Sequence, residues 1–196
     1  MWALATLDAS AGTALLWSYT AAMRRQNPAS AFGEGSMTER EFGSNLKGKL
    51  AAMLVGVACV QGSGGEINFA SPFVDDEGVD LIFFRKGGYG KAILAQVKSR
   101  ILQSKLLSQG TFRFQVRRTS IKPREDYYFI FITFDKSRKG LFNTLWFIPS
   151  LDFERKLSGQ RNETLLVFQS RFDSRDMWEE YRMGLDELPK RIAQIL

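Results

Sequence analysis

Residues 79–100, "VDLIFFRKGGYGKAILAQVKSR", are two apolar runs joined by a glycine-rich turn. The pattern predicts a β-hairpin with strands Val79–Phe84 and Ala92–Ser99. A hairpin constrains everything around it, because strand side chains alternate between two faces. Asp80, Ile82 and Phe84 share one face of the first strand, and Leu94, Gln96 and Lys98 share one face of the second. If the strands pair so that these faces agree, Asp80, Gln96 and Lys98 converge at one end of the sheet. A charge buried there needs a partner or a metal.

Two readings of that polar set stay open. One is an Asp80–Lys98 ion pair with a spare amide at a strand end. The other is a Mg²⁺ site for phosphodiester chemistry, since Mg²⁺ takes oxygen ligands and keeps several waters. A carboxylate, an amide oxygen and a strand carbonyl supply one side of such a shell. A lysine two residues along the same face steadies developing charge on phosphorus. The chain contains no histidine, which excludes a Ser-His-Asp triad, a Cys-His pair and a His-ligated zinc site. Its single cysteine, Cys59, closes the apolar stretch "LAAMLVGVACV" and reads as a buried structural thiol.

The flanking sequence places the hairpin in an α/β (α+β) domain with a mixed central sheet flanked by helices. "SMTEREFGSNLKGKLAAMLVGVACV" predicts a first helix, with Thr38 and Glu41 at capping-box spacing. Its apolar periodicity puts Phe42, Leu46, Leu50, Met53, Leu54 and Val57 on the buried face. Glu39, seven residues before Leu46 and eleven before Leu50, falls on that face too. A short strand is expected around Ile67–Ala70, and Asp75, Asp76 and Glu77 read as a solvated turn. "RILQSKLLSQG" predicts a short helix or a loop. "TFRFQVRR", "DYYFIFITFD", "LFNTLWFIPS" and "ETLLVFQS" predict strands. "SRDMWEEYRMGLDELPKRIAQIL" predicts a closing helix broken or kinked at Pro189.

Residues 1–36 read as an N-terminal extension and 37–196 as a single domain. The apolar run 11–23 is too short and interrupted for a span of about 20 residues, and no basic residue precedes it, as a signal peptide would require. A cytoplasmic protein with no membrane partner is expected. The net charge is +6 over 196 residues. Between 101 and 140 lie nine basic and three acidic residues, so the excess is concentrated just after the hairpin. That favours an anionic partner, with a solvated face as the plain alternative. Arg113 and Arg117, four apart on one strand face, and Lys105 are the expected phosphate contacts.

"GVDLIFF…AILAQVKSR" resembles the PD-(D/E)XK nuclease superfamily, the restriction-endonuclease-like fold. The motif there is an Asp on one strand and (Glu/Gln)-x-Lys on the next, here Asp80 and Gln96-Val97-Lys98. The Gln form is similar to Mrr-type restriction endonucleases and related stand-alone predicted nucleases. "DDEGVD" resembles their "D-x-G-x-D", and "YYFIFITFD" and "LWFIPS" resemble the strands that follow. The resemblance covers roughly residues 38–150. It implies Asp80 and Gln96 as metal-side groups, the Val97 carbonyl as a further ligand, and Lys98 as the catalytic lysine. It also implies a glutamate on the first helix, for which Glu39 is the candidate by phase. The implied cofactor is Mg²⁺ or Mn²⁺, with no small-molecule cofactor, and the implied partner is DNA. Cutting both strands of a duplex often needs two sites, which leaves a homodimer open. The implied activity is endonuclease-like cleavage in restriction, defence or repair. The rival is a nucleic-acid-binding protein on a nuclease fold with weak or absent catalysis.

Overall fold

Tyr127–Ile132 is apolar at every position, and the reason is visible in its surroundings. Tyr127, Phe129 and Phe131 are buried in one core cluster, and Tyr128, Ile130 and Ile132 in another on the opposite face. A strand covered on both faces loses its polar alternation. The computed structural model describes residues 39–72, 78–88, 90–102, 111–135, 140–162, 164–171 and 175–196. Side chains of the first helix are described from Leu46 onward.

The elements are α1 (Glu39–Gly62), β1 (Ile67–Ala70), β2 (Leu81–Arg85), β3 (Ala92–Leu102), β4 (Thr111–Arg117), β5 (Tyr127–Asp135), β6 (Gly140–Pro149), α2 (Ser150–Leu157), β7 (Leu165–Arg171), β8 (Arg182–Gly184) and α3 (Leu188–Ile195). Six strands form one sheet in the order β1-β2-β3-β5-β6-β8. β3 and β5 run parallel and the other pairs antiparallel. The sheet is mixed and the fold is α+β. β4 and β7 form a separate antiparallel ribbon.

The ribbon, α2 and Trp178 cover one face of the sheet. Phe112, Phe114, Val116, Phe153, Leu166 and Phe168 pack there against Phe129, Phe131 and Trp146. The rings of Phe131 and Phe168 stack with centroids 4.1 Å apart. α1 and α3 cover the other face through Ala52, Val55, Cys59, Leu188 and Ile192.

α1 turns a different side to the sheet than its apolar periodicity predicts. Leu46, Met53 and Val57 are 48%, 44% and 40% exposed, while Ala51, Ala52, Val55 and Cys59 are buried; Leu50 and Leu54 are half-buried. Close approach selects small residues. A Cβ on Gly56 would stand 2.7 Å from the Phe69 ring, and one on Gly62 2.6 Å from Pro189. Thr38 lies outside the described residues.

The chain end also differs from expectation. Instead of one helix from 174, it forms a 3₁₀ turn at Glu179–Tyr181, then β8, then the short α3. Trp178 belongs to the ribbon-side core and Leu188 to the α1-side core, so the segment must pass around the sheet edge, which a single helix cannot do. Pro189 sits in the first turn of α3, where its missing N–H costs nothing. α2, which sequence periodicity did not signal, begins where Pro149 ends β6. Its buried Ser150 Oγ accepts from the Arg124 N–H and donates to the Arg124 carbonyl, both at 2.9 Å. β3 runs on to Leu102, beyond the expected end at Ser99, because β5 continues to pair with it.

Candidate functional site

The hairpin register decides whether the polar residues meet. Leu81 pairs with Ala95 and Ile82 with Leu94, so Ile82 and Leu94 share the ribbon-side face; Val79, expected on the other face, packs in the same cluster, so the alternation does not run on unbroken through Asp80. One step further, the Asp80 N–H donates to the Ala95 carbonyl at 2.9 Å. Asp80 therefore sits beside Ala95, just before β2 begins. Gln96 and Lys98 lie opposite Phe129 and Phe131 of β5, on the ribbon side of the sheet.

β2 offers β3 no further backbone partner beyond this point. The Asp80 carboxylate takes over: Oδ2 accepts from the Val97 N–H at 2.8 Å. On β3 the N–H and C=O of alternate residues point to the same edge. The Val97 carbonyl therefore opens on the edge where Asp80 sits. Ser71 Oγ donates to the Asp80 carbonyl at 3.0 Å, fixing its backbone.

Gln96 is 4% exposed, and its Oε1 has no hydrogen-bond partner among the described residues. Gly78 makes room for it. Gly78 has φ +70°, and a Cβ there would stand 2.7 Å from Gln96 Nε2. Tyr127 Oη donates to the Gly78 carbonyl at 2.9 Å, holding this turn against the sheet. Along β3 exposure rises from buried Gln96 through half-buried Lys98 to exposed Arg100. Arg100 Nη1 donates to the Arg113 carbonyl at 3.2 Å, so the β3 row leads directly to the ribbon. Tyr127, Gly78 and Arg100 were not anticipated as parts of this site. The glycine in "DDEGVD" was the available signal for the turn.

The donor chemistry of this edge fits a hard divalent cation: a carboxylate, an amide oxygen and a strand carbonyl. Among the described residues, no group of three or more His, Cys, Asp or Glu side chains comes together.

The other expected site residues divide. Arg113 and Arg117 both point outward from β4, in its exposed–buried alternation. Lys105 and the acids at 75–77 lie outside the described residues. The Glu39 side chain is likewise not described, and the phase argument for it fails, because its markers Leu46 and Leu50 are exposed and half-buried. Counting back from Ala52, Val55 and Cys59 by helical repeats puts position 41, not 39, in phase with the buried stripe. Cys59 is buried and burial pushes its thiol up to about 12, so it stays a neutral core group. Away from the site, Lys156 bridges Glu180 at 2.8 Å, and this hydrogen bond holds the Glu180 carboxyl below its usual range.

No protein-family model matches the sequence, and no curated protein matches it. Among solved structures, the chain is similar to a bacterial homing endonuclease. That structure is 16% identical, with a TM-score of 0.46, over 77% of this chain and 94% of the other. No helix among the described residues is long and apolar enough to cross a membrane.

Proposed function

We propose that the chain is a metal-dependent deoxyribonuclease that hydrolyses DNA phosphodiester bonds at the Asp80–Gln96–Lys98 row. The observation that carries this reading is the Asp80 carboxylate held on the Val97 N–H at 2.8 Å, between Gln96 and Lys98 in the sequence of β3. Asp80, the Gln96 amide oxygen and the Val97 carbonyl would hold Mg²⁺ or Mn²⁺. A bound divalent ion supplies Lewis acidity toward a phosphoryl oxygen and lowers the pKa of a bound water. Lys98, half-buried beside it, places a positive charge where the phosphorane develops negative charge. Arg113 and Arg117 on the outward ribbon face contribute attraction to the DNA backbone. The acid on α1 that the family resemblance implies falls, by helical counting, at Glu41 rather than Glu39.

One observation favours a second reading, a nucleic-acid-binding protein without catalysis. The row contributes a neutral amide where a second carboxylate would bind metal more strongly, and no third acid joins it among the described residues.

Cleavage of supercoiled and linear DNA in Mg²⁺, Mn²⁺ or EDTA separates the two. Wild type, Asp80→Asn and Lys98→Ala are compared, each checked for folding by circular dichroism. Metal-dependent nicking by wild type, lowered at least about 100-fold in both folded variants, is expected. No cleavage by wild type in any metal, with salt-sensitive DNA binding intact, would replace the nuclease by the binding protein.

A further inference from the structure

We infer that the outward face of the β4–β7 ribbon reads base sequence in the major groove of duplex DNA. The inference rests on DNA being the ligand and adds how one sequence is chosen over another. β4 alternates exposed and buried without interruption, so Thr111, Arg113, Gln115 and Arg117 all point away from the core. β7 pairs Gln169 with Arg113 and Arg171 with Thr111, and both Gln169 and Arg171 are exposed. The outward face thus carries three arginines and two glutamines, and no acid occupies any position of either strand.

None of these five side chains makes a hydrogen bond or ion pair with another described residue. Elsewhere the protein behaves differently: Arg124 pairs with Asp126, Arg155 with Asp152 and Arg182 with Glu179. The ribbon heads are left available for a ligand. Phosphate attraction alone accounts for arginines but not for the glutamines, whose amides carry no charge. Together the two residue types match base edges. Arginine is bidentate to guanine and glutamine to adenine in the major groove. Leu165 and Val167, the half-buried outward positions of β7, suit thymine methyl groups.

The shape agrees. The B-DNA major groove is about 12 Å wide and admits a two-stranded ribbon. The RNA major groove is deep and too narrow for side chains to read. The position agrees as well. Arg113 is tied through its carbonyl to Arg100, two residues beyond Lys98 on β3. A duplex seated on the ribbon lies next to the open end of the Asp80–Gln96–Lys98 row.

The test is selection from a random duplex library by the full chain in EDTA, where cleavage plays no part. Anisotropy then follows the selected duplex, its single-base variants and a scrambled duplex at two salt concentrations. Wild type is expected to enrich a defined motif. Gln115→Ala and Gln169→Ala should each lose about 5- to 150-fold discrimination at one base pair, with affinity for scrambled duplex changed less than about 2-fold. Arg113→Lys, which keeps the charge but not the planar fork, should keep the salt slope and lose discrimination. Salt-dependent binding without any enriched motif, or discrimination unchanged in these variants, would reduce the ribbon to a phosphate contact and overturn the inference. Preference for RNA or single strands would also overturn it. An enriched motif in a protein that cleaves nothing would sustain the ribbon reading while removing the nuclease. Cleavage without a motif would do the reverse.

Discussion

Gly78→Ala probes the turn that delivers Asp80 to β3. At φ +70° a Cβ costs about 1–2 kcal/mol from backbone sterics alone. The same Cβ would meet Gln96 Nε2 at 2.7 Å. An amide at the end of a side chain can normally swing aside, but Gln96 is buried and has little space to do so. Overpacking of this kind adds about 1–3 kcal/mol, for a total of about 2–5 kcal/mol. Gly87 supplies the internal comparison. Its φ is +75°, and nothing lies within 4 Å of an added Cβ, so Gly87→Ala carries only the backbone cost. Urea unfolding with linear extrapolation measures both. Gly78→Ala should be less stable than Gly87→Ala by at least about 1 kcal/mol. In the Gln96→Ala background that excess should shrink, because the obstructing amide is gone. Equal losses at the two glycines, or strictly additive losses at 78 and 96, would refute the packing of the turn against Gln96.

Two further outcomes follow from the cores. Burial raises the Cys59 thiol from 9.0 to about 12, so above pH 9 the unfolded chain loses a proton that the folded chain keeps. The stability present below pH 9 then falls as pH rises toward 12, by up to about 1.4 kcal/mol per pH unit. Burial raises Tyr128 in the same direction, so the check is Cys59→Ala, whose unfolding free energy should fall less steeply between pH 9 and 11; an identical slope would contradict the assignment. Phe168 is fully buried and stacks on Phe131 at 4.1 Å, with Trp178 at 5.1 Å. Phe168→Ala should cost about 3–5 kcal/mol in urea unfolding, and a loss below about 1 kcal/mol would mean that the ribbon is not anchored by this ring.

The parts legible in the sequence are those governed by strict local periodicity. Alternation by two put Ile82 and Leu94 on agreeing faces, as the observed pairing has them, but it does not extend unbroken to Asp80, because Val79 packs on that same side. The α1 face was misread because apolar periodicity weights Leu46, Met53 and Val57, whereas a helix pressed onto Phe69 needs Gly56 and its neighbours Ala52 and Val55. Hydropathy ranks side chains by transfer energy and carries no information on how closely a backbone must approach. The stretch around Trp178 has a composition compatible with helix. Nothing local shows that Trp178 and Leu188 belong to opposite faces of one sheet. The ribbon was half legible: β4 alternates clearly, but its partner β7 begins only at Leu165, and no local signal pairs segments that far apart. The need for glycine at 78 emerges only when Gln96 is seen against it.

The site arises from a mismatch of strand lengths. β2 begins at Leu81, opposite Ala95, while β3 continues to Leu102 with only β5 beside it. Among the described residues, no strand pairs the β2-side edge of β3 from Val97 onward. An exposed backbone N–H on such an edge favours a carboxylate, which makes the stronger charge-assisted bond, and Asp80 fills that place. The consequence is electrostatic. The next group on the same edge is the Val97 carbonyl, and the neighbouring side chain is Gln96, whose Oε1 lacks a described partner. A partly buried carboxylate at this edge calls for a compensating positive charge. The architectural and catalytic readings agree on that requirement and differ in what answers it. In one the Lys98 ammonium is the sole counter-charge. In the other Lys98 flanks a divalent ion and is left to face the phosphate. Only the second makes DNA cleavage depend on both Asp80 and added metal.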